Sequence, residues 1–480
     1  MLCQTTAPVS QSASAHTRIF ANDRLNALAE YIIWLGGTER KMPNPYLPSW
    51  EYIPDGEPRV FGDRVYVYGS HDNADSEEFC DYKLKVWSAP LDNLNEWVCH
   101  GDAFHTRADR DHPSDIDWSE TQLYAPDVVK KDGKYYLYAY VVDSKGCVAV
   151  SERPEGPFRL LSQYQYNIPD HYDNGTFIDP GVLVDDDGRV YVYCGYQGSY
   201  MCEIDSDNMY RVLDGTYQEN IIPVEDPHGF FEACSPRKIG DTYYLIYSPK
   251  IGSRLAYATG KSPRGPFTYR GYIVDNGVDY PGGNNHGSVC RINGQWYIFY
   301  HRMTNGTVMS RRGCVERIEI MPDGSIPPVE MTSLGFETSL NPYRVTAADT
   351  ACVLKGGCII TELDTFTRVI TRITRGCVMG WKYYDFGEDD TNGTMELVMK
   401  MIPHGCSGRI HIMIDDEKEG REIGTVCFEK GSRIVTCPVE TVTGRHAVFF
   451  AVKDRYTTWA GDAFLQGREL FDLESFVFRK

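Results

Sequence analysis

Five times in this chain a turn built on Gly, Asp or Asn runs into a short strand crowded with aromatics, and that repeat constrains the fold more than any other feature. The segments are GDRVYVYGS (62–70), DGKYYLYAY (132–140), DGRVYVYCG (187–195), GDTYYLIYS (240–248) and NGQWYIFYH (293–301). Aligned on Tyr66, Tyr136, Tyr191, Tyr244 and Tyr297, they are separated by 70, 55, 53 and 53 residues. Their Val, Tyr and Ile content suits a pleated, half-buried surface. A further strand follows the aromatic one at Leu84–Ala89, Cys147–Ser151 and Leu255–Thr259, and two units continue into nearly identical turns, RPEGPF (153–158) and SPRGPF (262–267). Each unit therefore reads as an antiparallel meander of about four strands, and radial repetition of such units protects their edges. The spacing predicts an all-β chain with a five-bladed β-propeller over residues 42–332. A β-sandwich with Tyr-rich core strands is the rival, but a sandwich does not require a regular period.

Past residue 330 the period stops. Thr394–Met401, Gly408–Ile414, His446–Val452 and the terminal ESFVFRK alternate as strands do, which predicts an antiparallel β-sandwich over 333–480. Residues 1–41 follow neither pattern; they are rich in Ser, Ala and Thr and weakly helical over Asn22–Trp34, and read as an extension. A length of 480 residues accommodates two domains.

Composition narrows the partners. With 48 Lys and Arg against 67 Asp and Glu, the net charge of −19 repels a polyanion, so nucleic acid is a poor partner. No run of 18 apolar residues suggests a membrane span. The early apolar stretch Leu25–Gly37 contains Glu30 and lacks a small-residue cleavage pattern, so it does not read as a secretory signal. The 15 Cys include no C-x-x-C pair, which fits reduced thiols and an expected cytoplasmic location.

In a propeller the first strand of each blade lines the central channel. The segments preceding the aromatic strands are PDGEPRVF, YAPDVVKK, FIDPGVLV, FEACSPRK and NNHGSVCR, and each carries a carboxylate or a His. Glu57, Asp127, Asp179, Glu232 and His286 precede their tyrosines by 9, 9, 12, 12 and 11 residues, which predicts similar heights in the channel; Asp55 lies beside Glu57 on the same strand face. Crowded acids repel, so one of them should keep its proton near neutral pH. Glycoside hydrolysis uses that asymmetry, with an acid for the leaving oxygen and a carboxylate that activates water.

NPYLPSWEYIPDGEP, YAPD, FIDPGVLVDDDG, FEACSPRKIGDTYYLIYS and NNHGSVCRINGQWYIFYH, in order from Asn44 to Thr332, resemble glycoside hydrolase family 43. The resemblance implies a five-bladed propeller acting with inversion. It implies Asp179 as the residue that tunes the acid's pKa and orients substrate, Glu232 as general acid, and His286 near the axis beside a calcium ion or water. The family's base is an Asp before Pro in the first blade; here that position reads Glu57-Pro58, so Glu57 is the expected base, with Asp55 as its substitute. Asp127, His286, Tyr124 and Arg302 are the expected substrate contacts. Core packing rivals a sugar platform for Tyr124, and a surface ion pair rivals a sugar contact for Arg302. The DDDG at 185–188 reads as a solvated hairpin turn rather than a calcium loop.

GWKYYDFG, GRIHIMID, TGRHAVFFAVK and LFDLESFVF in the last third are similar to a family 6 carbohydrate-binding module, which implies a sandwich with a structural calcium. Tyr456 and Trp459 are its candidate stacking residues. The expected function is an inverting, exo-acting hydrolase releasing L-arabinofuranose or D-xylose from plant oligo- or polysaccharides, with no organic cofactor. Three alternatives accompany it: a galactan-acting member of the family, suggested by Glu at the base position; a carbohydrate-binding propeller that has lost activity; and a retaining fructan-acting enzyme, disfavoured because PDGEP replaces N-D-P-N-G.

Overall fold

The computed structural model describes residues 43–142, 146–163, 177–388, 393–454 and 466–480. The expected helix at Asn22–Trp34, and Tyr456 and Trp459, lie outside the described residues. Met42–Lys480 forms one compact unit. Among the described residues no helix is long and apolar enough to cross a membrane.

Each aromatic repeat is the second strand of a small antiparallel sheet. Blade 1 comprises Glu57–Phe61, Arg64–Tyr68, Lys83–Pro90 and Val98–His105. Blade 2 comprises Leu123–Lys131, Lys134–Val141, Cys147–Ser151 and Arg159–Gln163, and blade 3 Gly181–Val184, Val190–Cys194, Tyr200–Ile204 and Gln218–Glu219. Blade 4 comprises Phe230–Ile239, Thr242–Pro249, Arg254–Gly260 and Thr268–Asp275; blade 5 has three strands, Val289–Ile292, Gln295–Thr304 and Thr307–Ile318. The aligned tyrosines occupy one register position: Tyr66 pairs with Arg59, Tyr136 with Val129, Tyr191 with Leu183, Tyr244 with Arg237 and Tyr297 with Cys290. One sequence period is therefore one blade.

Polar contacts between the inner strands bind the blades together, both between neighbours and across the channel. Arg59 donates to Asp127 and to the Val182 carbonyl, Ala233 N–H donates to Asp179, and Arg237 donates to the Val289 carbonyl and to Glu57. The ring also has a clasp at its seam. Asn44 donates from Nδ2 to the Val315 carbonyl at 2.8 Å and accepts the Val315 N–H at 2.9 Å, while Tyr46 N–H bonds to the Gly313 carbonyl at 3.2 Å. The segment before blade 1 thus covers the outer edge that three-stranded blade 5 leaves open.

Two sheets follow. One runs in the order Ile359–Glu362, Arg368–Ile373, Phe471–Arg479, Met395–Pro403, Ile434–Val439; the other runs Val353–Lys355, Val378–Asp385, Arg445–Asp454, Gly408–Ile414, Arg421–Phe428. Trp381, Phe450 and Phe476 interlock between them, with ring centroids 4.6 to 4.9 Å apart. This apolar core is continuous with Tyr244, Tyr257 and Tyr300 of the last two blades. The propeller and sandwich therefore share a core.

Candidate active site at the propeller axis

The register separates the channel's polar residues into two layers. In the deeper one Glu57 pairs with Tyr68 and Asp127 with Tyr138, each two places beyond the aligned tyrosine. Both carboxylates are buried and matched to arginine. Arg237 Nη2 lies 2.6 Å from Glu57, and Arg59 grips Asp127 through Nη2 at 2.6 Å and Nε at 3.0 Å. Burial pushes Glu57 up, but Arg237 and Arg59 outweigh it and hold the carboxyl below its ordinary range. Such a pair stiffens the ring, and it lies one pleat repeat below the residues that meet around His286.

The upper layer lies where the inner strands begin. Asp55, Ala125, Asp179 and Ala233 all have positive φ, at 56°, 35°, 54° and 69°. Non-glycine residues reach this region at a cost, and structures retain it where a side chain must be aimed. Here Asp55, Asp179, Glu232 and His286 come together. His286 Nδ1 is 3.7 Å from Asp55 Oδ1 and 3.8 Å from Asp179 Oδ2. The sequence expectation that Asp179, Glu232 and His286 share a height agrees with this arrangement. The corresponding residue of the first blade is Asp55, whereas Glu57 sits one layer deeper.

Asp55 is held firmly. Arg311 Nη1 donates to Oδ1 at 2.9 Å and Ser70 Oγ to Oδ2 at 2.7 Å, while the His301 ring lies 3.4 Å from Oδ1. Arg311 is itself fixed by Asp72, through Nε at 2.8 Å and Nη2 at 3.0 Å. Although burial raises the Asp55 pKa, the Arg311 guanidinium and the His301 ring override it and hold the group well below the usual carboxylate range. Asp55 is ionised.

Glu232 shows the opposite behaviour. It sits at an irregularity in its strand, partly open, and burial followed by the Asp55 charge pushes its carboxyl up to about 7. Asp179 is also raised well above its ordinary value, by burial and then by Glu232 and Asp55; its Oδ2 accepts the Ala233 N–H at 3.1 Å, next to Glu232. Burial lowers the His286 pKa, which favours the neutral ring. The layer thus holds an ionised carboxylate, Asp55, together with a carboxyl, Glu232, that retains its proton toward neutrality.

Tyr124 is half-buried, with its ring 6.1 Å from Tyr140. Beside Glu232, Phe231 meets the 42% exposed Tyr196 at a centroid distance of 5.0 Å, forming an aromatic wall that the sequence reading missed. Arg302 is a correction. It is 1% exposed and points into the shared core, donating to the carbonyls of Ala351 and Thr332. Asp127 is likewise fully buried under Arg59 rather than open to a ligand. Asp185 is a smaller correction: it is buried and accepts from Lys238 and Tyr243, so the 185–188 turn is only partly solvated. Ser70, Asp72, His301 and Arg311 also went unforeseen, since each follows its blade's aromatic strand or lies in a different blade from the residue it serves.

A calcium ion held directly by this layer does not fit. Calcium requires six to eight oxygen ligands, yet both Asp55 oxygens are already engaged and His286 offers nitrogen. Among the described residues, two groups elsewhere bring potential ligand atoms within 4.8 Å of one another: Asp102, His105, Asp109 and His112 on blade 1, and His404, Glu469 and Asp472 in the sandwich.

Residues 54–326 match the sequence profile of Glycosyl hydrolases family 43. A xylosidase/arabinosidase of Thermoclostridium stercorarium is 43% identical over 335 residues, covering 63% of this chain and 69% of that one. A solved family 43 β-xylosidase/α-arabinofuranosidase from a compost microbial metagenome, described as complexed with xylotriose in a calcium-free form, is 29% identical with a TM-score of 0.50, covering 60% of this chain and 97% of that one. An arabinoxylan arabinofuranohydrolase structure from Bacillus subtilis spans both domains, covering 91% of this chain and 97% of its own, with a TM-score of 0.51 and 23% identity. At that identity the likeness concerns fold.

Proposed function

Because this chain belongs to glycosyl hydrolases family 43, we propose that it is an exo-acting, inverting glycosidase that releases D-xylose or L-arabinofuranose from plant oligosaccharides or polysaccharides. The observation that carries the reading is the opposed protonation of two groups in one layer: Asp55 is ionised while Glu232 keeps its proton up to about pH 7. In this reading Asp55, rather than Glu57, is the general base. It takes a proton from water as the water oxygen attacks the anomeric carbon, and Glu232 gives its proton to the departing glycosidic oxygen. Asp179 anchors the backbone next to Glu232 by accepting the Ala233 N–H and so orients the acid. His286 lies between the two aspartates and contacts the sugar, while Tyr196, Phe231 and Tyr124 offer faces on which a sugar ring stacks.

The names of the Thermoclostridium and compost-metagenome relatives support xylose and arabinofuranose as the released sugars. The galactan-acting alternative and the inactive binding propeller both drew on an altered base; an Asp held ionised at the axis removes that motive. Release of 4-nitrophenol from aryl β-xyloside, α-arabinofuranoside and β-galactoside, with proton NMR of the first-formed anomer, tests the proposal. Turnover of either of the first two with inverted product is expected. A retained anomer, or turnover of the galactoside alone, would overturn it.

A further inference from the structure

On the outer strand of blade 1, remote in the sheet order from the axial strand, Asp102 and His105 face Asp109 and His112 of the following loop. One ligand atom from each of the four lies within 4.8 Å of all the others. The distinctive member is His105. It is 4% exposed, and its buried Nε2 has no hydrogen-bond partner while standing 3.9 Å from Asp102 Oδ2. A buried ring nitrogen without a partner is unusual, because the desolvation cost of leaving one is substantial. The rings of His105 and His112 lie 4.7 Å apart and nearly parallel, and His112 Nδ1 is 3.4 Å from Asp109 Oδ1.

We propose that Asp102, His105, Asp109 and His112 form a binding site for a divalent transition metal of the zinc or cobalt class, which staples the 106–118 loop to blade 1. Two imidazoles with two carboxylates suit such ions, whereas calcium and magnesium prefer oxygen alone. Metal–ligand bonds of about 2.0 to 2.2 Å place tetrahedral ligands about 3.3 Å apart, so the group must contract modestly. The two members that move, Asp109 and His112, are exposed, whereas His105 and Asp102 are set by the strand. Asp109 Oδ1 accepts the N–H groups of Asp111 and His112, which keeps the loop residues on one side and leaves its Oδ2 available. Lys83, whose Nζ is 3.3 Å from Asp102 Oδ2, is the cation that the metal displaces. Burial lowers the His105 pKa, consistent with the neutral ring a metal needs.

The full chain, stripped with chelator and dialysed, is titrated calorimetrically with Zn2+, and separately with Co2+ while its visible absorption is followed. One equivalent of metal is expected to bind, with affinity falling at least about tenfold in His112→Ala and in Asp109→Ala. Both substitutions lie on the exposed loop and spare the fold. His404→Ala, which removes the sandwich cluster, is expected to leave binding unchanged, and aryl-glycoside turnover is expected to be the same in all variants. Absence of stoichiometric binding, or binding that persists in His112→Ala and Asp109→Ala, would overturn the assignment.

Discussion

Replacing Asp55 and Glu57 separately divides the two first-blade carboxylates into chemistry and scaffold. Asp55→Asn removes the charge that accepts the proton from water, and general-base catalysis is worth about 10² to 10⁴ in rate, or roughly 3 to 5 kcal/mol of barrier. The fold tolerates it, because Arg311 keeps both of its bonds to Asp72, and only the bonds from Arg311 and Ser70 to Asp55 are weakened, at about 1 to 3 kcal/mol. Glu57→Gln acts in the opposite sense. The amide oxygen can still accept from Arg237, but that partly buried guanidinium loses its counter-charge, and breaking a fully buried pair outright costs about 3 to 5 kcal/mol, an upper bound here. Stability should fall, while turnover per folded molecule stays within about tenfold of wild type. Initial rates on an aryl glycoside, normalised to folded protein and paired with thermal unfolding, separate the two effects. A fully active Asp55→Asn enzyme alongside a Glu57→Gln enzyme slowed about a hundredfold would refute the two-layer reasoning.

Two further expectations follow from the same layer. The Glu232 carboxyl is pushed up to about 7 in the folded state, above its ordinary value of 4.5, so the native state binds the extra proton; its contribution to stability is therefore lost as pH rises from 4.5 through 7, by up to about 3 kcal/mol. The alkaline limb of kcat/KM should fall near pH 7, and Glu232→Gln should flatten the stability decline and remove most turnover; an unchanged stability profile in Glu232→Gln would count against the assigned proton. Phe231→Ala and Tyr196→Ala should raise KM several-fold, from the loss of about 1 kcal/mol of stacking each, with kcat nearly preserved; unaltered KM for xylo-oligosaccharides would exclude the aromatic wall from binding.

Much of this fold is legible in the sequence because a propeller repeats its local rules. The aligned tyrosines fall at one register position in all five blades, which is why period alone yields blade number and inner strands. Depth in the channel is harder. Glu57 and Asp127 lie 9 residues before their tyrosines, whereas Asp55, His286, Asp179 and Glu232 lie 11, 11, 12 and 12 before theirs. That difference is two residues, one pleat repeat, for Asp55 and His286 and three for Asp179 and Glu232, and it marks the boundary between an arginine-neutralised layer and the reactive one. The cue was present in Asp55 and was masked by the Glu-Pro pattern next to it. Arg302 and Arg311 have no comparable cue. Each is a buried cation in the last blade, and only the closing of the ring decides that one supports the sandwich while the other serves Asp55.

The clasp of Asn44 on Val315 has a consequence during synthesis. Its two ends are 271 residues apart, and Arg311 is 256 residues from Asp55. A ribosome must therefore finish the fifth blade before Asp55 acquires its guanidinium neighbour, and until then an unpaired strand edge and an unneutralised acid coexist in the growing chain. Contacts so distant along the polypeptide make maturation slow, and they leave the nascent protein inert until its last blade docks.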